Sequence, residues 1–254
     1  MKTLVILVIG IVIISAFSYQ HSATASDAQT DYQTGLRYFK SKDYAEAMRW
    51  YRKSADQGSV NAQASLGTMY RSGEGVTQNY VEALKWSRKA ADQGDAPSQG
   101  VLGSMYYLGQ GATQDYQEAL KWNRKAADQG DTDAQASLGA MYRAGEGVTQ
   151  DYAEALKCFH KSADQGNANA QARLGGMYFL GEGVTQDYEE AAKWTRKSAD
   201  QGDADAQVFL GSMYFKGQGV SKNLIEAKNW YRKAASQGDK NALKMMKKLT
   251  GMGF

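Results

Sequence analysis

The sequence predicts an all-α protein, a right-handed α/α superhelical solenoid of about six two-helix repeats. Three observations carry this. First, Asp/Asn followed by Tyr or Leu opens a similar segment at positions 43, 79, 115, 151, 187 and 223, with a period of 36 and no drift. A period of that length marks stacked repeats. Second, apolar residues recur at helical spacing, as in Ala62, Leu66, Met69 and Tyr70, and no segment shows sustained period-2 alternation. Third, the chain has 27 Gly but a single Pro, Pro97. Of the glycines, 21 fall at four repeat positions, so they mark architecture rather than flexible linkers.

Composition excludes other classes. Of 254 residues, 43% are hydrophobic and 22% charged, a globular balance. A mean hydropathy of −0.57 excludes a polytopic membrane protein. The net charge of +3 gives no strong global field for nucleic acid. Residues 1–25 read as a secretory signal peptide. Lys2 precedes an apolar run from Leu4 to Phe17, and Ala23-Thr24-Ala25 offers small residues before a cleavage point. The run is shorter than the ~20 residues of a spanning helix. The mature chain is thus expected to be periplasmic or secreted. The alternative is an inner-membrane anchor, should the segment be kept. Cys158 is the only cysteine, so no intramolecular disulfide can form.

Residues 26–42 hold the N-terminal segment and a first helix A. Residues 43–250 carry the repeats, and 251–254 form a tail. Within a repeat, helix A covers about Asn61–Arg71 and helix B about Tyr80–Gln93. Between them stands a Gly-x-Gly turn, starting at Gly73, Gly109, Gly145, Gly181 and Gly217. Each helix B opens on Asp or Asn with Glu three residues later, as in Asn79/Glu82 and Asp151/Glu154. That spacing fits a capping box, in which the Glu reaches back to the cap residue's N–H. Each helix B stops at a Gly (58, 94, 130, 166, 202, 238), which can adopt the left-handed conformation.

The pattern Leu-Gly-x-Met-Tyr, Gly-x-Gly-Val, Asp-Tyr-x-Glu-Ala-x-Lys-Trp, Arg-Lys-Ala-Ala-Asp-Gln-Gly resembles the Sel-one-like repeat (SLR) family, a relative of tetratricopeptide repeats. The match covers roughly residues 29–248. The first copy departs from it: Gly35 reaches Tyr44 in nine residues, where Gly67 needs thirteen to reach Tyr80. It looks like an ordinary tetratricopeptide hairpin and an N-terminal cap. Asn241–Leu249 looks like a lone helix A, its lysines making a polar closing cap.

Catalytic readings are weak. Six equivalent Asp/Glu pairs cannot supply the single special environment that separates catalytic pKa values. The Gly-x-Gly turns follow a helix and lack the third Gly of a dinucleotide fingerprint. Trp50, Trp86, Trp122, Trp194 and Trp230 share one repeat position with Cys158 and are read as core, which predicts a looser fourth repeat. Clusters such as Lys85/Arg88/Lys89 are read as a solvated face paired with nearby acidic residues. His21, His160 and Cys158 cannot make an ordinary metal site. No Ser-x-x-Lys motif occurs. No catalytic residue, metal or cofactor is expected.

The resemblance implies an exported scaffold or adaptor that binds a protein or peptide on a concave face lined by helix A. Residues that change from copy to copy are the binding candidates: Asn61, Thr68, and the row Arg71, Tyr107, Arg143, Phe179 and Phe215 with Leu108 and Leu180 beside it. Arg and aromatic residues dominate binding hot spots. No nucleic acid is expected as a partner, and a membrane only if the N-terminal segment is uncleaved. The alternatives are an envelope enzyme or β-lactam/peptidoglycan-binding protein, and a membrane-tethered assembly factor.

Overall fold

The structure, a computed structural model, describes residues 27–253. The expected leader, residues 1–25, lies outside them. Among the described residues every regular element is a helix, and the fold class is the expected one. They are α1 (27–40), α2 (Tyr44–Asp56), α3 (Val60–Ser72), α4 (Tyr80–Asp92), α5 (Ala96–Leu108), α6 (Tyr116–Asp128) and α7 (Thr132–Ala144). Then follow α8 (Tyr152–Asp164), α9 (Ala168–Leu180), α10 (Tyr188–Asp200), α11 (Ala204–Lys216), α12 (Leu224–Ser236) and α13 (Lys240–Gly251). Odd-numbered helices are helix A and even-numbered ones helix B. The helices fall into two compact units, up to Asp115 and from Tyr116 onward.

Local sequence explains each boundary. Helix α2 ends at Asp56 with Gln57 as its C-cap; Gly58 then takes φ +91° and Ser59 caps α3. The stop of one helix thus adjoins the start of the next, leaving no linker. The residue after the glycine (Ser59, Asp95, Asp131, Asn167, Asp203, Asp239) caps every helix A from α3 to α13. Asp131 accepts from Ala134 N at 2.7 Å, for example. Those caps went unread in the sequence, although they stand at the same period.

At helix B the first half of the capping box forms and the second does not. The Asp151 carboxylate accepts from the amides of Ala153 at 2.9 Å and Glu154 at 3.0 Å. The cap residue's own N–H instead donates to a helix A carbonyl: Asn79 to Tyr70 (2.8 Å), Asp151 to Tyr142 (2.9 Å), Asp187 to Tyr178 (2.9 Å). The Glu side chain turns outward to a Lys three residues on: Lys85–Glu82 at 3.2 Å, Lys121–Glu118 at 2.7 Å, Lys193–Glu190 at 2.6 Å. Tertiary pairing of the two helices takes the donor that the Glu was expected to satisfy.

The Gly-x-Gly segment is more than a turn. Its first glycine ends helix A at φ +68° to +76°. Its second presses on the start of the preceding helix B: a Cβ at Gly147 would lie 2.6 Å from the Tyr116 carbonyl oxygen, and one at Gly183 2.6 Å from Tyr152 Cβ. The loop therefore joins neighbouring repeats.

In the first unit the core gathers Ala47, Met48 and Tyr51 of α2, Leu66, Met69 and Tyr70 of α3, Trp86 of α4 and Met105 of α5. In the second, Phe159, Leu174, Met177 and Trp194 form one cluster, and Tyr231, Ala242 and Leu249 another. The glycine of Leu-Gly-x-Met-Tyr lets helix A approach helix B. A Cβ at Gly67 would stand 2.5 Å from Ser87 Oγ, and one at Gly139 2.8 Å from Phe159 Cδ1.

The tryptophans from Trp86 onward are buried, and Trp50 is half-buried. The fourth repeat is not loose. Cys158 is smaller than Trp, but Phe159 beside it is fully buried. His160 packs edge-on against Trp194 and Tyr178, with ring centroids 5.6 and 6.0 Å apart.

Candidate functional site

Two ladders hold adjacent repeats in register. Gln63, Gln99, Gln135, Gln171 and Gln207 are buried on helix A. Gln171 donates to the Ala163 carbonyl at 3.1 Å and accepts from Gln201 at 2.8 Å; Gln207 does the same with Ala199 and Gln237. Buried amides need such partners. On the outer side, Arg52, Arg88, Arg124 and Arg196 each donate from helix B to a Tyr hydroxyl on the next helix A (Tyr70, Tyr106, Tyr142, Tyr214). His160 takes that place against Tyr178 at 3.2 Å. Neither ladder was singled out in the sequence, although Gln and Arg recur there at 36-residue spacing.

The basic clusters are engaged in the same way. The lysine three residues after each buried Trp lies over the indole: Lys89 over Trp86 and Lys125 over Trp122 at 4.2 Å, Lys197 over Trp194 at 3.7 Å. Burial pushes the Cys158 thiol up from its ordinary value, with nearby Glu154 adding to it, which keeps the sulfur protonated. Among the described residues no group of three or more His, Cys, Asp or Glu could hold a metal ion. No helix among them is long and apolar enough to cross a membrane.

With those side chains committed to the fold, the open surface of helix A remains. A groove opens there in each unit. In the first unit a cavity of about 330 Å³ is lined by Tyr32, Leu36 and Phe39 of α1, by Asn61, Ala64, Ser65 and Thr68 of α3, and by Asp95 and Pro97. In the second a cavity of about 340 Å³ is lined by Arg143 of α7, by Asn169, Ala172, Arg173 and Gly176 of α9, and by Asp203 and Asp205. The two linings use the same repeat positions, three repeats apart: Asn61 and Asn169, Ala64 and Ala172, Ser65 and Arg173, Thr68 and Gly176. Their chemistry differs. The first combines aromatic and aliphatic side chains with the acidic Glu74 and Asp95, whereas the second is charged in both signs around Ala172 and Gly176.

The predicted row of five divides. Arg71 is exposed, as are Leu108 and Leu180 at 58% and 57%. Tyr107 is half-buried on α5. Arg143 lines the second groove but is held by a two-pronged ion pair: Nε to Glu182 Oε2 at 2.6 Å and a terminal nitrogen to Oε1 at 3.1 Å. That hydrogen bonding raises its already high pKa. Phe179 packs against Phe209 at 5.0 Å and Tyr188 at 4.9 Å, and Phe215 joins the core of the last hairpin. Asn61 and Thr68, also named from the sequence, line the first groove. The groove positions Ser65 and Arg173 were missed, although they too vary between copies.

Fold and grooves define a helical-repeat protein of the scaffold class. The Sel1 repeat family model matches six consecutive stretches, 28–59, 60–95, 96–131, 132–167, 168–203 and 204–239. The chain belongs to the Sel1 repeat family. The first of these stretches is short by four residues, at the turn between α1 and α2. Among solved structures, the chain is similar to a protective antigen of uropathogenic Escherichia coli strains displaying an SLR fold (38% identity, TM-score 0.84). The alignment covers 92% of this chain and 52% of that one. It is also similar to a Sel1 repeat protein from Oxalobacter formigenes (36% identity, TM-score 0.79, covering 87% and 65%). The chain thus spans less than two thirds of either relative. A sel1 repeat protein from Klebsiella pneumoniae shares the fold at 24% identity (TM-score 0.52, covering 79% and 97%). No curated protein matches the chain.

Proposed function

We propose that the chain is an exported, non-catalytic scaffold that binds protein or peptide segments along the helix A face. The observation that carries this is the division of labour among repeat positions. Those that stay constant serve cores, caps and ladders, whereas several that line the grooves change from copy to copy, as Ser65 to Arg173 and Thr68 to Gly176. A small-molecule enzyme needs one specialised pocket; grooves that recur on equivalent helix A positions suit side chains of a protein or peptide. The carboxylates at the starts of helix B act as caps and ion-pair partners, which leaves them no catalytic task. The apolar run Leu4–Phe17 supports export, as does the likeness to a protective antigen. N-terminal sequencing of the mature protein should begin at Ser26, and a retained Met1 would instead make it a tethered assembly factor.

Filling the grooves tests the binding reading. Thr68 is exposed, and a Cβ at Gly176 meets nothing within 4 Å. Thr68→Trp and Gly176→Trp should therefore fold normally and occupy the grooves. After crosslinking in the native cell, partner recovery is expected to fall at least tenfold in the double variant. Equal recovery of the same partner from both proteins would reject the helix A face.

A further inference from the structure

The charge of the chain is not evenly spread. From Lys216 to Lys248 there are nine Lys or Arg and only two acidic residues, Glu226 and Asp239, within a chain of net charge +3. The rest carries 21 basic and 25 acidic residues. We propose that this end of the second unit docks on an anionic lipid membrane, independently of the N-terminal apolar run.

Helix α13 is the centre of that surface. It is anchored by Ala242 and Leu249, which pack with Ala227 and Tyr231 of α12 and with Phe215 of α11. Lys240, Lys244, Lys247 and Lys248 are all exposed. At 3.6 residues per turn they fall within a sector of about 100°. α13 contains no acidic residue, and its N-cap Asp239 is spent on the Ala242 amide. Leu243 and Met252 flank the lysine sector, 41% and 51% exposed. Arg232 of α12 extends the basic surface, while Lys233 lies over the Trp230 indole at 3.7 Å. Lys247 stands where α11 has Gly211, the residue that faces the Tyr231 ring. The side of helix A that receives helix B in a full hairpin is here turned to lysine.

An exposed helix face needs polar side chains to stay soluble. Mixed charges satisfy that need, and exposed Leu and Met work against it. A single-signed lysine sector with apolar flanks is the arrangement of a helix lying in a membrane interface, with apolar side chains at the headgroup boundary and lysines reaching outward. Lysine dominates over arginine by eight to one in this stretch. That favours a diffuse anionic surface over the bidentate contacts by which Arg reads individual phosphates.

Flotation of the full chain with vesicles tests this. Phosphatidylcholine vesicles are compared with vesicles containing one third phosphatidylglycerol. The N-terminal apolar run acts alike on both, so the ratio of binding reads the basic surface. Each lysine near an anionic surface contributes about fivefold. Lys240→Gln/Lys244→Gln/Lys247→Gln should thus reduce the preference for anionic vesicles by about a hundredfold. Lys85→Gln/Lys121→Gln/Lys157→Gln, which removes Glu-paired lysines, should leave the preference in place. Leu243→Ser should weaken anionic binding without changing its salt dependence. Circular dichroism verifies the fold of each variant. Equal binding to both vesicle types, or a preference that survives the α13 triple variant, overturns the proposal. A short DNA duplex that strips the protein from vesicles at equal phosphate concentration would also overturn it, assigning the surface to nucleic acid.

Discussion

Gln207 joins three helices: its amide donates to the α10 carbonyl of Ala199, and its oxygen accepts from Gln237 after α12. Replacing it by Leu removes two hydrogen bonds of a buried amide, about 0.5–1.5 kcal/mol each, although Gln237 keeps the Gly202 carbonyl and the Ala199 carbonyl keeps the Gly202 amide. Gln207→Leu should lower the urea midpoint, while Thr185→Ala at an exposed loop position should not. Tyr51 makes a second prediction. Burial, with the Tyr32 hydroxyl nearby, pushes its pKa from 10.0 up to about 12. A raised folded-state pKa means that the unfolded chain ionises first. The stabilisation is complete below pH 10 and is lost as the pH rises toward 12. Urea midpoints measured from pH 8 to 12 should fall over that window, and by less in Tyr51→Phe.

Among the elements, helix B carries the sharpest contrast between expectation and outcome. Asp151 and Glu154 were paired by spacing in one motif, yet they act separately. Asp151→Ala should cost about 1 kcal/mol, since it frees two first-turn amides. Glu154→Gln should cost less than half of that, because Glu154 only meets Lys157 at the surface. Chemical denaturation of the two variants separates a cap from a capping box: equal losses would restore the reciprocal bond. Gly139→Ala concerns helix pairing. The added methyl would meet the Phe159 ring, and overpacking of this kind costs about 1–3 kcal/mol. Spacing could place Asp151 at a helix start. It could not reveal that the Tyr142 carbonyl claims the cap residue's N–H, because that acceptor arrives from another helix.

For the molecule as a whole, every hairpin depends on its neighbours for burial, so stability is nearly a sum of repeat and interface contributions. Hydrogen exchange should therefore be slowest in α9–α10, which has neighbours on both sides, and fastest in α1 and α13. Uniform protection across all of them would contradict that. The groove surface follows the same logic. Its positions recur every 36 residues, and Asn61 and Thr68 were legible as variable where Ser65 and Arg173 were not. Which of them are open was decided by side chains from adjacent repeats: Phe179 is drawn against Phe209 and Arg143 against Glu182.

The sequence alone determined the helices, their boundaries and their repeat, because caps, glycines and apolar spacing act within a few residues of each other. Tertiary structure decided the partners of polar groups. The Gln–Gln bonds of the buried ladder, the Arg–Tyr contacts and the pressing of each Gly-x-Gly loop on the preceding repeat join residues 18 to 31 positions apart. Periodicity says that such residues recur; it does not say which faces meet. That depends on how one hairpin packs on the next, and only there do the glycines of the loops acquire their second purpose.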